Sequence, residues 1–293
     1  MSTRGRAGYR LQVTGYRTPG LTRRCALHVV LVLYSLIVAY PMLWLLLASV
    51  KSSRELFEKP WGLPAPPQWV NFAKAWTEAG IGHCFLNSVF VTAISMFFIL
   101  LIGAMAAYAL ARFVFPGRGT IHSVFMGGMM FPVFLGIVPL FLLLRNLGMW
   151  DNYFGLITAY VAYSLSFTVF ILTGFFKQLP GELAEAGLID GCSHFAVFRR
   201  IMLPIAKPGL IAAGIFNFFG IWNEYPLALV IIATDSLRTL PLGIANLLMV
   251  QHYETDWGTL FAGLVIVMLP TLVVYLIFQR QITEGLTAGA LKG

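Results

Sequence analysis

The chain has 293 residues, of which 58% are hydrophobic and 11% are charged, and its mean hydropathy is +0.79. Soluble domains carry about 25% charged residues, so this composition excludes an ordinary soluble domain and indicates an integral membrane protein. The net charge of +8 does not imply a nucleic-acid partner, because the basic residues form no patch with interleaved polar residues, and we expect no nucleic-acid binding.

Six apolar stretches are long enough to cross a membrane, since a helix needs about 20 such residues to span a hydrocarbon core of about 30 Å. They are residues 28–50, 87–112, 121–144, 154–176, 208–233 and 258–278. We therefore predict an all-α integral membrane protein with six transmembrane helices, whose transmembrane domain covers residues 28–279. The third stretch contains Pro132 and Pro139, either of which could bend or break it.

The distribution of Lys and Arg predicts the orientation. If the N-terminus lies in the cytoplasm, fourteen of the 20 Lys and Arg residues fall on the cytoplasmic side of the six spans. Basic residues are enriched in cytoplasmic segments. We therefore predict that the N-terminal tail (residues 1–27) and the C-terminal tail (residues 280–293) are both cytoplasmic.

The predicted external loop, residues 51–86, contains the stretch KPWGLPAPPQWVNFAKAW, in which four prolines precede three aromatic residues. Proline blocks helix continuation, so we predict an extended segment followed by a short helix. Aromatic residues are enriched at membrane interfaces, which favours an interfacial anchor, and a docking surface for an external partner is the alternative. In the next external turn, Trp150 and Tyr153 are also predicted to be interface anchors.

The longest cytoplasmic joint, residues 177–207, includes the polar stretch ELAEAGLIDGCSHFAVFRRIMLP. Its residues predict a helical hairpin. Acidic residues begin the first helix, where negative charge is favoured, and Asp190-Gly191 marks a turn. Ser193 is suited to cap the second helix, and Pro204 is expected to stop it.

The second helix of this hairpin is predicted to carry Phe195, Phe198 and Met202 on one face, since they are spaced i, i+3 and i+7. A short hairpin cannot bury such a face in a core of its own. The face must therefore pack against its own helix bundle, the membrane surface or another protein.

Glu224 is the only acidic residue within a predicted span. Charges inside a membrane usually face a cavity or a partner, and amides and aromatic faces suit sugars, so the fifth stretch is a possible substrate path. Its candidate residues are Asn217, Trp222, Asn223, Glu224 and Tyr225. The alternative is that Glu224 and Asn223 only form bonds between helices or act at a gate.

The hairpin resembles the signature of permease subunits of ABC importers, which reads Glu-Ala-Ala, three residues, Gly, nine residues, Ile-x-Leu-Pro. The chain departs from that signature only in having Gly187 in place of the second Ala. The Asp190-Gly191 pair, the WNEY stretch (residues 222–225) and the closing GLTAGALKG (residues 285–293) resemble the carbohydrate and glycerol-phosphate branch, in particular the second permease of a maltose-type heterodimer.

This resemblance implies that the hairpin is a coupling helix seated on an ATP-binding subunit. The residues it assigns to coupling are Glu185, Ala186, Gly187, Asp190, Gly191, Phe195, Phe198, Ile201, Leu203 and Pro204. It also implies a second permease, two ATP-binding subunits that bind ATP and Mg, an extracytoplasmic solute-binding protein, and a location in the plasma (inner) membrane of a prokaryote. The solute it implies is a sugar, an oligosaccharide or a sugar-derived molecule.

Two other classes of membrane protein fit the sequence less well. An ion-gradient-driven secondary transporter commonly shows internal repeats and ionisable residues near mid-membrane, and only Glu224 is available here. A membrane-embedded enzyme needs clustered His or Asp, whereas the five histidines and three cysteines match no metal or redox spacing. We therefore expect no catalytic or metal-binding residue and no cofactor in this chain. The sequence also contains no phosphate-binding G-x-x-x-x-G-K-[ST] loop, so any ATP-driven role needs a separate subunit.

Overall fold

The computed structural model describes residues 21–250 and 256–290, with side chains described for residues 25–249 and 256–282. Most of the predicted N-terminal tail and the side chains of the GLTAGALKG stretch therefore lie outside the described residues. The chain divides into two compact units, residues 1–44 and residues 45–293. The described residues are helical or in connecting turns and contain no strand, which confirms the all-α prediction.

Fourteen α-helices follow one another in the described part of the chain. They are α1 (Leu21–Ala48), α2 (Ser53–Glu58), α3 (Val70–Thr77), α4 (Ile81–Arg112), α5 (Arg118–Met130), α6 (Val133–Asn146), α7 (Tyr153–Gln178), α8 (Glu182–Ile189), α9 (His194–Val197), α10 (Leu203–Ile205), α11 (Lys207–Trp222), α12 (Pro226–Ile231), α13 (Leu240–Val250) and α14 (Trp257–Ala290). A π-helix, Phe198–Met202, joins α9 to α10, and a 3₁₀ turn, Asp235–Leu237, precedes α13.

Four of these helices, α1, α4, α7 and α14, are long and apolar enough to cross a membrane. Two further pairs pass the same test only together, because α5 and α6 meet at 106° and the segment His194–Ile205 meets α11 at 74°. Among residues 21–250 and 256–290, length and composition thus allow four spans, or up to six if each bent pair counts as one. The third predicted stretch does break at Pro132, as expected, whereas Pro139 lies inside α6.

The prediction that the fifth stretch, residues 208–233, forms a single helix was wrong. Helix α11 ends at Trp222, and α12 starts only at Pro226. Pro226 has no N–H to continue the helical ladder and disfavours helical geometry at the residue before it, so the break has a local cause.

Helices α4 and α7 form the centre of the second unit. Gly103 of α4 lies against Thr168 of α7 so closely that a Cβ at Gly103 would lie 2.5 Å from the Thr168 Cγ2. At one end of this pair, Tyr108 and Phe176 pack with the hairpin in a buried cluster. This end is called the hairpin end below, and the other is called the opposite end.

At the opposite end, the predicted short helix is confirmed as α3, whereas the proline-rich stretch between α2 and α3 runs through turns and bends and is not extended throughout. Lys51 is fully buried there and donates hydrogen bonds to the carbonyls of Lys59 and Pro60 at 3.0 and 3.1 Å. Helix α13 was not predicted. It is tied to α4 because Asn87 donates to the carbonyl of Ser236 at 2.9 Å, and Ser88 accepts from the amide of Leu240 at 2.7 Å.

The turn between α6 and α7 is tied to the end of α12 through Asp151. One carboxylate oxygen accepts from the amides of Ala233 and Thr234 at 2.8 and 2.9 Å, and the other accepts from the Thr234 hydroxyl at 2.6 Å. Trp150 donates to the carbonyl of Val230 at 3.2 Å, and Tyr153 packs against a core cluster. Both predicted anchors therefore have protein partners, and their role at a membrane interface stays a prediction.

The Asp151 contacts predict a pH-dependent stability. The Thr234 hydroxyl first, and then the Thr234 and Ala233 amides, lower the pKa of the Asp151 carboxyl below its usual 3.8, against a smaller opposing effect of burial. A lowered pKa stabilises the fold at neutral pH, and this stabilisation is lost as the pH falls below 3.8 through the folded-state pKa. We expect the thermal midpoint of Asp151→Asn to lie below that of the parent at pH 7, and the difference to shrink as the pH falls below 3.8 through the folded-state pKa. A constant difference between the two would contradict the assignment.

Candidate functional site

The hairpin between α7 and α11 has the predicted turn chemistry. Helix α8 ends at Ile189, and Gly191 adopts a φ of 84°, a left-handed conformation that favours glycine. The Ser193 hydroxyl accepts from the amide of Ala196 at 3.2 Å and caps α9. The predicted hairpin, its turn and its cap are confirmed.

The role predicted for Pro204 as a helix stop was wrong. The second arm continues through the π-helix and α10 to Ile205, and the 74° bend follows at Ala206. In the π-helix, the amide of Leu203 donates to the carbonyl of Phe198, five residues earlier. This wider turn already shifts the hydrogen-bond register just before Pro204, so the missing N–H of the proline does not end the helix.

The predicted aromatic face is only partly buried, although the ring centroids of Phe195 and Phe198 lie 6.3 Å apart. Phe198 and Met202 are buried against Tyr108 and Phe176 of the bundle, whereas Phe195 is 64% exposed. Phe195 lies in α9, before the π-helix begins at Phe198, so this face runs from the bundle out to the tip of the hairpin. The hairpin therefore divides its aromatic residues between the bundle and the surface.

Gly187 closes the hairpin on itself. It is buried, and a Cβ there would lie 2.5 Å from the Ile201 Cδ1 and 3.1 Å from the Val197 Cγ2. In the structure Gly187 allows the two arms of the hairpin to approach each other.

We expect Gly187→Ala to change stability by less than about 1 kcal/mol, because the Ile201 side chain can rotate aside and alanine favours the helix. Gly187→Val should cost about 1–3 kcal/mol through overpacking. Adding Ile201→Ala should recover part of that loss, as measured by the thermal midpoint of the purified protein. Equal losses for Ala and Val, with no recovery, would show that crowding at Ile201 is not the cause.

The hairpin also presents an apolar tip to its surroundings. The tip comprises Ile189, 85% exposed, and Phe195, 64% exposed, on either side of the exposed Asp190–Gly191 turn. Of the other predicted coupling residues, Glu185, Ala186 and Pro204 are exposed, and Ile201 and Leu203 are half-buried against the bundle. Sequence reasoning missed Ile189, whose exposure depends on where the Asp-Gly turn falls.

A second feature is a cavity of about 510 Å³ beside the two helix breaks. Its walls come from α5, α6, α7, α11 and α12, and they meet where Pro132 separates α5 from α6 and Glu224 precedes α12. Gly128 lets the wall close, since a Cβ there would lie 2.6 Å from the Ser166 Oγ. This agrees with the packing role expected for glycines in helix contacts.

Two of the five candidate path residues, Asn217 and Glu224, line this cavity. Asn217 is buried and donates to the Thr168 hydroxyl at 2.8 Å, which links α11 to α7. Trp222 is buried elsewhere, with its indole N–H on the carbonyl of Val267.

Asn223 and Tyr225 do not line the cavity either. Asn223 is exposed and donates within its own helix to the carbonyl of Phe219, while Tyr225 packs against the core cluster around α6 and α7. The structure thus separates the five candidates, because consecutive residues at a helix break point in different directions.

Glu224 connects α7 to α12. Its Oε2 accepts from the Tyr160 hydroxyl at 2.8 Å and from the amide of Ala228 at 3.0 Å, and its Oε1 accepts from the amide of Leu227 at 2.7 Å. The carboxylate therefore satisfies backbone groups at the start of α12 and forms the bond between helices that was the structural alternative. Because it also lines the cavity, the two roles are compatible.

Sequence reasoning missed the contribution of α7. Tyr160, Tyr163, Ser164 and Phe167 all line the cavity, and their spacing of i, i+3, i+4 and i+7 places them on one face of the helix. Polar residues at this spacing inside an apolar stretch were a detectable signal.

The comparisons with known proteins agree with this geometry. Residues 99–286 match the family described as binding-protein-dependent transport system inner membrane component. The diacetylchitobiose uptake system permease protein NgcG of Streptomyces coelicolor is 45% identical over 90% of this chain and 88% of its own length. The trehalose transport system permease protein SugB of Mycobacterium tuberculosis is 34% identical over 89% of this chain and 96% of its own length.

A solved bacterial ABC transporter involved in the import of alginate has the same fold, with a TM-score of 0.78 at 21% identity over 88% of this chain and 96% of its own. The chain belongs to the family of binding-protein-dependent transport system inner membrane components and is the permease subunit of an ABC importer. This membership confirms the predicted resemblance and favours an ATP-driven importer over an ion-gradient-driven transporter.

Proposed function

We propose that this chain forms half of the translocation path for a sugar, an oligosaccharide or a sugar-derived solute. The observation that carries the proposal is the 45% identity, over 90% of the chain, to a permease named for diacetylchitobiose uptake. The cavity supports it, because hydroxyl, amide and carboxylate groups alternate there with aromatic rings. Asn217 and Glu224 are the residues of the original candidate set that we assign to the path.

We further propose that the hairpin tip docks on an ATP-binding subunit. An exposed apolar tip on an otherwise well-packed hairpin supports this role, since such patches mark sites of interaction. The buried residues Phe198 and Met202 would pass a displacement of the tip to α4 and α7, on which they pack. Gly187 keeps the hairpin rigid, and Glu185, Ala186, Asp190 and Gly191 complete its outer surface.

The complete importer then contains a second permease, two ATP-binding subunits that hold ATP and Mg, and an extracytoplasmic solute-binding protein. In this arrangement the hairpin and both termini face the cytoplasm, and the loop at residues 51–86 faces outward. This assignment has six spans: α1, α4, the bent α5–α6 pair, α7, the stretch from α11 through α12, and α14.

The proposal is tested by co-expressing the chain with the permease, ATPase and binding-protein genes encoded beside it. Vesicles that contain the complex should accumulate labelled diacetylchitobiose or trehalose only when ATP is supplied on the hairpin side. Accumulation driven by a proton or sodium gradient without ATP would overturn the mechanism. ATP-dependent accumulation of a solute that is not sugar-derived would overturn the solute class.

A further inference from the structure

The charge on the cavity wall is negative and comes from Glu224. Glu224 is the sole charged side chain among the described residues that line it, and no Lys, Arg or His lies on its walls. Its carboxylate receives three hydrogen bonds, from the Tyr160 hydroxyl and from the amides of Leu227 and Ala228, but no cation. The cavity therefore has an uncompensated negative charge at its α12 end.

Apart from the amide of Asn217, which donates to the Thr168 hydroxyl and the Ala213 carbonyl, the remaining polar side-chain groups of the cavity are hydroxyls without protein partners. Within the described residues, the side-chain hydroxyls of Tyr163, Ser164 and Ser166 make no hydrogen bond. Inside a membrane such groups require water or a solute, because lipid offers them no partner. They face the same space as Glu224, so the cavity combines unused hydroxyls with a single acidic group.

We propose that Glu224 is a specificity-determining residue, which makes this cavity a binding site for uncharged, hydroxyl-rich solutes and excludes anionic ones such as uronates or sugar phosphates. An anion that entered would meet the carboxylate in surroundings of low dielectric constant, where like charges repel strongly. An uncharged polyol avoids that repulsion. Its hydroxyls can donate to Glu224 Oε1, which accepts only one protein hydrogen bond.

This inference rests on the proposed function in taking the cavity as part of the translocation path. It adds that the path rejects negatively charged solutes, which the names of the sequence relatives do not determine. Glu224 thus has two roles. It accepts hydrogen bonds from the first amides of α12, and these bonds hold its negative charge at one defined place on the cavity wall.

The test measures the electrostatic potential of the cavity without knowledge of the solute. In a full-length chain whose three native cysteines are replaced by Ser or Ala, Ser166→Cys places a thiol on the cavity wall. The labelling rate of this thiol is measured with two methanethiosulfonate reagents of similar size, one with a sulfonate and one with a trimethylammonium group. The matched control is Leu63→Cys, since Leu63 is 77% exposed and lies outside the cavity.

At each position we compare the labelling rate of the trimethylammonium reagent with that of the sulfonate reagent. We expect this ratio of rates to be about tenfold higher at position 166 than at position 63. Glu224→Gln should bring the ratio at 166 to within about twofold of the control. Because that variant can misfold, salt gives a second readout with Glu224 intact: 1 M salt should reduce the preference at 166, since a Debye length of about 3 Å screens the charge.

Equal ratios at positions 166 and 63 with Glu224 present, or a preference that neither Glu224→Gln nor salt reduces, would overturn the inference. Uptake of diacetylchitobiose or trehalose by the assembled importer is measured separately. If sugar uptake depends on ATP while the cavity shows no charge preference, the inference fails and the proposed function stands. If the charge preference is present while no sugar is transported, the proposed solute class fails instead.

Discussion

Ile189→Asp is expected to detach the ATP-binding subunits from the permease while leaving the permease folded. Ile189 is 85% exposed at the hairpin tip, so its replacement removes no contact of the bundle. A charge in the centre of an apolar docking surface costs about 2–4 kcal/mol of binding, which corresponds to a loss of affinity of more than tenfold. The measurement is the ratio of ATPase to permease after purification of the complex, together with its ATP hydrolysis rate.

Phe195→Asp, on the other side of the turn, should have the same effect, because the two residues form one tip. Leu63→Asp is the matched control, since Leu63 is a similarly exposed aliphatic residue at the opposite end of the molecule. The control should retain both ATPase subunits. Full retention by the Ile189 and Phe195 variants would place the docking surface elsewhere.

Glu224→Ala is expected to be the most destabilising substitution at the cavity. It leaves the amides of Leu227 and Ala228 without their acceptor and leaves the hydroxyl of the buried Tyr160 unpaired. An unsatisfied buried donor costs about 1–3 kcal/mol, so the total loss should be about 3 kcal/mol. Tyr160→Phe should cost only about 1 kcal/mol, because Glu224 keeps its two backbone donors.

The double variant distinguishes this account from a general packing defect. Once Glu224 is alanine, the Tyr160 hydroxyl has lost its acceptor, so adding Tyr160→Phe should cost nothing more or restore some stability. Asn223→Ala is a suitable control, since Asn223 is exposed and bonds only within its own helix. The comparison uses the thermal midpoints of the parent, the two single variants, the double variant and the Asn223→Ala control. Fully additive losses for Glu224 and Tyr160 would contradict the proposed coupling between them.

Much of the fold was predictable because apolar length and turn residues act locally. The Asp190-Gly191 turn and the Ser193 cap depend on neighbouring residues alone, and both are present in the structure. The break at Pro132 is equally local. Helix α13 was missed, because its stretch is too short to be recognised as a span and is held by distant contacts with Asn87 and Ser88.

The candidate site was only partly predictable, because lining a cavity depends on contacts between helices. Glu224 was identified by its cost inside a membrane, yet its partner Tyr160 lies 64 residues earlier. Trp222 has the residue type expected of a sugar site but is buried in another cluster. No local pattern distinguishes those two outcomes. The π-helix at Phe198–Met202 was equally hidden, since no local pattern predicted it.

The 106° angle between α5 and α6 has a consequence for how the protein enters the membrane. With 13 and 14 residues, each of these helices is about 20 Å long, short of the roughly 30 Å that a span must cover. Neither can therefore leave the insertion machinery as a finished segment. The break at Pro132 exposes backbone groups that lipid does not satisfy, so this stretch must remain shielded until α7, which packs against α5, has been synthesised. We therefore expect α5, α6 and α7 to assemble together, because α5 and α6 are each too short to span the membrane before α7 packs against α5.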